Sequence, residues 1–235
     1  MPTSADLDAL YAASWSEPDQ HVGETGGTDD MLAQTYAHCL AADLGRADLG
    51  GLRILDFGAG DGAMSAALAA LGARVTAVEP YGQPRSFGGL IDVFARLEDL
   101  PHAHAERFDG IVCLQVIEHL PQPRPVLEAL HQLLDDGGWL LLTTPNAASL
   151  RARLTGQRWT EVRKPGHVVL FGERSLRALL ARLGGWQDVR RPAWRVQYSR
   201  QPLNAGLQVL LQRTGLGGDL RCLAFKRSAP DASHG

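Results

Sequence analysis

From Leu52 onward the apolar positions fall into short dense runs that alternate with amphipathic stretches. Five runs have the length and apolar density of buried strands. They are Leu52-Arg53-Ile54-Leu55-Asp56-Phe57, Ala73-Arg74-Val75-Thr76-Ala77-Val78, Ile91 to Ala95, Phe108-Asp109-Gly110-Ile111-Val112-Cys113-Leu114 and Trp139-Leu140-Leu141-Leu142-Thr143-Thr144. Between them, Met64, Ala67, Leu68 and Leu71 recur at helical spacing and stop at Gly72. Val126, Leu127, Leu130, Leu133 and Leu134 mark another helix, and Leu176, Leu179, Leu180 and Leu183 a third, ended by Gly184-Gly185. Strands this apolar, alternating with helices, predict a parallel sheet covered on both faces. Two closing strands are expected near Asp188 to Tyr198 and Leu220 to Lys226.

The flanks read differently. In residues 1–50, Asp29 and Asp30 can cap a helix whose apolar face runs Leu32, Tyr36, Cys39, Leu40 and Leu44 and ends near Gly45. An earlier short helix would hold Leu7, Leu10 and Tyr11, with a glycine-bearing loop from His21 to Thr28 between the two. Residues 146–172 are too long for a plain connection, which predicts an insert or lid at about 147–173. The expected organisation is a helical cap at 1–50, an α/β domain at 51–227 and a frayed tail at 228–235.

Composition adds constraints. The chain has 235 residues, of which 45% are hydrophobic and 21% charged, as in an ordinary globular protein. No apolar run approaches the roughly 20 residues of a membrane span. Met1 to Asp6 has neither a basic region nor an apolar core, so no secretory signal is expected. Cys39, Cys113 and Cys222 lack metal-ligand spacing and read as reduced thiols of a cytoplasmic protein. Charge is uneven: residues 1–150 carry 7 Arg against 21 acids, whereas residues 151–200 carry 11 Arg and 1 Lys against 3 acids. The basic stretch reads either as a site for an anionic partner or as a solvated face. Nucleic acid is disfavoured, because interleaved aromatics are missing and the net charge is -3.

The densest chemistry lies after the first strand, in Leu55-Asp56-Phe57-Gly58-Ala59-Gly60-Asp61-Gly62. Alternate glycines let the backbone turn tightly and approach a ligand, and the next helix presents free N–H groups to the same place. Glu79, at the tip of the second strand and 17 residues beyond Gly62, can accept hydrogen bonds from both hydroxyls of an adenosine ribose. A nicotinamide dinucleotide shares these features, but its pyrophosphate would be repelled by Asp56 and Asp61. A ligand carrying an ammonium and a sulfonium tolerates those acids, which favours S-adenosylmethionine (SAM).

Several ordered blocks then resemble class I SAM-dependent methyltransferases, in the small-molecule group related to the ubiquinone-biosynthesis O-methyltransferases. They are Ile54 to Gly62, Val78-Glu79-Pro80, Leu97-Glu98-Asp99-Leu100-Pro101, Phe108-Asp109, Val116-Ile117-Glu118-His119-Leu120-Pro121, Leu134-Asp135-Asp136-Gly137-Gly138 and Thr143-Thr144-Pro145-Asn146. Together they cover roughly residues 52–185. The resemblance implies an α/β, Rossmann-like fold with a seven-stranded sheet whose last strand is antiparallel. It implies that Asp56, Gly58, Gly60 and Gly62 surround the methionine part of SAM and that Glu79 holds the ribose. Leu97 would pack on adenine beside Glu98, with Leu114 and Gln115 lining the methionine end. S-adenosylhomocysteine (SAH) would be the product. Arg96 stands where related sequences often place an acid for the adenine amino group.

The same resemblance places His119 where the cofactor methyl should point, as a base or as a residue that only positions substrate. In relatives this histidine can instead join two acids in a metal site. Gln115 occupies the first acid position here, so no metal is expected. His167 lies opposite, within the insert, as a second base, an acceptor contact or a surface histidine. A hydroxyl acceptor needs a base and suits these histidines. A carboxylate, phosphate or phosphonate acceptor needs only cationic grip and suits Arg158, Arg163 and Lys164. Tyr11 is a candidate substrate contact. The expected activity is O-methylation of a small molecule. N- or C-methylation on the same fold, or a non-catalytic SAM-binding or partner-binding role, remain the alternatives.

Overall fold

A computed structural model describes residues 26–81, 91–100, 107–192, 194 and 202–228. The proposed helix around Tyr11, most of the His21–Thr28 loop and residues 229–235 of the tail lie outside the described residues. In chain order the elements are α1 Gly26–Asp43, β1 Arg53–Phe57, α2 Ala63–Ala70, β2 Arg74–Val78, β3 Ile91–Phe94, β4 Phe108–Leu114, α3 Pro123–Leu133 and β5 Leu134–Pro145. They continue with α4 Leu150–Thr155, α5 Thr160–Arg163, α6 Glu173–Leu183, β6 Trp186–Arg190, α7 Pro202–Thr214 and β7 Asp219–Lys226. Short 3-10 turns stand at Leu97–Asp99, Ile117–His119 and Gly156–Arg158.

The strands form one seven-stranded sheet in the order β3-β2-β1-β4-β5-β7-β6. The first five are parallel, while β7 runs antiparallel to both β5 and β6. Side chains alternate between two cores, as a pleated strand requires. Ile54, Val112, Leu141 and Leu223 pack on one face with α1 and α2. Leu55, Ile111, Leu140 and Cys222 pack on the other face with α3 and α6.

Four expectations shift. Helix α1 begins at Gly26, so Asp29 and Asp30 lie in its early turns rather than capping it. Its buried stripe is Ala33, Tyr36, Ala37, Leu40 and Ala41, whereas Leu32, Cys39 and Leu44 only flank the core. Strand β5 starts at Leu134 rather than Trp139, because Leu134 pairs with Phe108 before a register shift carries the ladder to Gly110 and Trp139. Strand β6 ends at Arg190, just before Pro192, which cannot donate to a ladder. Helix α7 has no counterpart in the hydropathy reading; Gly206 interrupts its pattern, and Leu207 and Leu210 are exposed.

Candidate active site

The order of strands reverses between β1 and β4, and in open α/β sheets ligands settle beyond the carboxyl ends of strands at such a point. A cavity of about 940 Å³ opens there, lined at the strand ends by Phe57 and Gly58, by Val78 and Glu79, by Ala95 and by Leu114 and Gln115. Arg96, Leu97, Glu98, Tyr81, Val116 and His119 complete much of its wall.

The glycine turn is built for this place. Gly58 adopts φ 78°. A Cβ there would also overlap the Val116 side chain, so glycine is required twice over. Glu79 braces the turn: one carboxylate oxygen accepts the Gly60 N–H at 2.9 Å and the other the Tyr81 N–H at 3.0 Å. Gly62 does not face the cavity; it precedes α2 with φ 84°. Asp56 is buried beneath the turn, accepts the Ser65 hydroxyl at 2.6 Å and forms no part of the described cavity wall. Burial pushes its carboxyl up to about 6, with Glu79 and Asp61 adding to the rise against the Ser65 hydrogen bond.

At the end of β4 the chain turns sharply. Gln115 has φ 56°, a left-handed conformation rare outside glycine. Its N–H donates to the Thr143 carbonyl at 3.0 Å and its side-chain amide to the Thr143 hydroxyl at 3.2 Å. This turn directs the chain into the 3-10 segment Ile117–His119, which carries Glu118 and His119.

His119 lines the cavity, and its Nδ1 lies 2.9 Å from the Gly166 carbonyl. A carbonyl only accepts, so Nδ1 carries the proton and Nε2 the lone pair. Burial holds the imidazole below its ordinary value, against the Gly166 hydrogen bond. His167 packs edge-on against it, with ring centroids 4.7 Å apart and the His167 side chain only 5% exposed. Burial pushes His167 down to about 4, aided by His119 and Lys164. Glu118 is fully buried, accepts the Thr144 hydroxyl at 2.9 Å and is pushed up to about 7 by burial. Its backbone carbonyl accepts the Val168 and Val169 N–H groups, which ties the 164–169 stretch to this turn.

The structure thus brings Gly58, Gly60, Glu79, Leu97, Glu98, Leu114, Gln115 and His119 to one cavity, and His167 to the back of His119. It does not bring Arg158, Arg163 or Lys164 to the described wall; all three are exposed, and Lys164 pairs with Glu161 at 2.7 Å. Tyr11 lies outside the described residues. Sequence reasoning misses Tyr81, which stands in no motif, and names Val116 only as part of the block that carries His119. Glu118 was read only as the neighbour of His119, because burial leaves no mark at a single acidic position.

Residues 32–185 match the family described as a methyltransferase domain. The chain belongs to that methyltransferase family. Among its relatives is the ubiquinone biosynthesis O-methyltransferase of Xanthomonas oryzae pv. oryzae, 34% identical over 110 residues. That match covers 43% of this chain and 46% of the relative. The corresponding enzyme of Pseudomonas syringae pv. tomato is also 34% identical over 110 residues, covering 43% of this chain and 47% of the relative. The chain therefore matches about half the length of these relatives. Among solved structures, the Burkholderia thailandensis 1,6-didemethyltoxoflavin-N1-methyltransferase, with 1,6-didemethyltoxoflavin and SAH bound, superposes with a TM-score of 0.63 at 20% identity. The superposition covers 97% of this chain and 92% of that one, and it shows the shared methyltransferase fold. No described helix of this methyltransferase is long and apolar enough to cross a membrane.

Proposed function

We propose that this methyltransferase uses SAM to O-methylate a small molecule and releases SAH. The observation that carries the reading is one cavity holding the Gly58–Gly60 turn and the Glu79 carboxylate together with the His119 imidazole. The residues fit SAM: a side-chain-free turn for close backbone approach, a carboxylate for the ribose hydroxyls, and Leu97 beside Glu98 for the adenine. Asp56 contributes from beneath the turn, and Gly62 by starting α2. When bound, SAM supplies an electrophilic methyl on a sulfonium sulfur. The chain's own work is then alignment, exclusion of water and removal of the acceptor's proton. In the metal-free chain His119 Nε2 takes that proton, and His167 supports the ring from behind. Residues 51–227 carry the activity, with 147–173 as a lid over the acceptor end.

A second reading, an anionic acceptor such as a carboxylate, has its own support. The Lys164 charge lowers the proton affinity of both imidazoles, with Glu161 opposing it, so Lys164 is the cation of the insert nearest in effect to His119. The test is a mass-spectrometric screen of matched hydroxyl and carboxylate acceptors with and without SAM, scored as addition of one methyl with release of SAH. His119→Ala should lower kcat for a hydroxyl acceptor by about 100-fold or more while SAH still binds. Calorimetry that detects NADH but not SAH would overturn the proposal.

A further inference from the structure

We propose that Glu118, His119 and His167 form a binding site for one divalent transition-metal cation, of which zinc is the representative. Each residue offers one donor atom, and the donors all lie within 4.8 Å of one another. A carboxylate with two imidazoles is a donor set that zinc and its neighbours accept, leaving a further position open. The set comes from two separate segments, the turn after β4 and the stretch after α5. The Glu-Glu-His arrangement implied by the resemblance draws on the turn alone and is broken here by Gln115.

The cluster carries the marks of a site rather than of chance proximity. Glu118 Oε1 is buried and has no hydrogen-bond partner, although its other oxygen is satisfied by Thr144. A buried acceptor left in that condition is destabilising, and a bound cation would satisfy it. His167 Nδ1 is likewise buried without a hydrogen bond; the Glu161 carboxylate stands 3.4 Å away, outside bonding geometry. The Nδ1–H of His119 to the Gly166 carbonyl is the outer bond that orients a ligating imidazole and turns Nε2 into the donor. Donors about 2.0–2.2 Å from a zinc ion sit no more than about 4 Å apart, so small side-chain rotations close the triad.

His119 is the edge of this cluster that faces the cavity. A cation held there polarises an acceptor oxygen and promotes loss of its proton, and it changes His119 from base to ligand. That role rests on the methyl-transfer reading; the binding itself does not.

Zinc titration of the chelator-treated full chain by calorimetry tests the proposal, with a Cys39→Ser background to silence the half-buried thiol. One zinc per chain is expected, and cobalt(II) in its place should give the visible absorption of a low-coordinate site. His167→Ala and Glu118→Gln should each weaken zinc by more than about 100-fold, beyond what loss of an outer-sphere partner costs. Both variants should keep the wild-type circular dichroism and SAH affinity. Absence of stoichiometric zinc binding overturns the site, as does zinc affinity that survives His167→Ala in a folded protein. Loss of SAH binding by the wild type would instead overturn the methyl-transfer reading and leave the zinc result standing.

Discussion

At the scale of single residues the site depends on groups that do two jobs. Glu79 braces the glycine turn through Gly60 and faces the cavity at the same time. Glu79→Ala should therefore weaken SAH by about 1–3 kcal/mol, the range for losing a charged hydrogen-bond partner. Calorimetric affinity equal to wild type would remove Glu79 from the cofactor site. Asp56 shows the opposite balance, a buried acid that costs stability. Its native value of about 6 lies above the ordinary 3.8, so the native state holds the proton more tightly than the unfolded chain. The associated stability is fully present below about 4 and is lost as pH rises through about 6, an effect of about 3 kcal/mol. Asp56→Asn keeps an acceptor for Ser65 and should flatten this fall. Urea denaturation from pH 4 to 8 reads it directly, and equal pH dependence in variant and wild type would refute it.

At the scale of elements, the segment between β5 and α6 is fastened at several points and presents most of its arginines outward. The Ala147 N–H donates to the Phe171 carbonyl at 2.8 Å, and the Asn146 amide donates to the Gly215 and Gly217 carbonyls at 3.0 and 2.8 Å. Arg158 and Arg163 are exposed and do not line the described cavity, which favours the solvated-face reading for these two. Arg158→Ala and Arg163→Ala should each change kcat/KM by less than about 0.5 kcal/mol. Lys164→Ala should reduce kcat/KM for a carboxylate acceptor more than for a hydroxyl one. A loss above about 10-fold from either arginine, equivalent to roughly 1.4 kcal/mol, would place those side chains on the substrate.

At the scale of the whole molecule, α1 is tied to β7 through a buried arginine. Arg221, only 3% exposed on β7, donates from Nε to the Tyr36 hydroxyl at 3.0 Å and lies over the Tyr36 and Trp194 rings. Trp194 in turn donates to Asp43 at the end of α1 at 2.7 Å. Tyr36→Phe keeps the ring but removes one acceptor from a buried guanidinium. Stability should fall by about 1–3 kcal/mol, read as a lower Tm by scanning calorimetry. SAH affinity should stay near wild type, because Tyr36 lies on the α1 side of the sheet and lines no part of the described cavity.

What the sequence alone determined was the order of strands and helices in the α/β core and the residues of its glycine turn. The alternation of apolar strands with helices, the turn from Asp56 to Gly62 and Glu79 at the tip of β2 were legible because strand pleat, helical spacing and glycine geometry act over a few residues. The start of β5 and the helix α7 were not legible in the same way. The first depends on a partner strand that carries Phe108, and the second on an apolar pattern that Gly206 and exposed leucines obscure. His167 could be named as a candidate but not placed. Only the tertiary structure decided that it lies against His119 with Glu118 close by, because α3, β5 and the first part of the insert separate the two segments. It also turned Arg158 and Arg163 away from the cavity, since composition reports how much charge a segment carries and not which way its helices face.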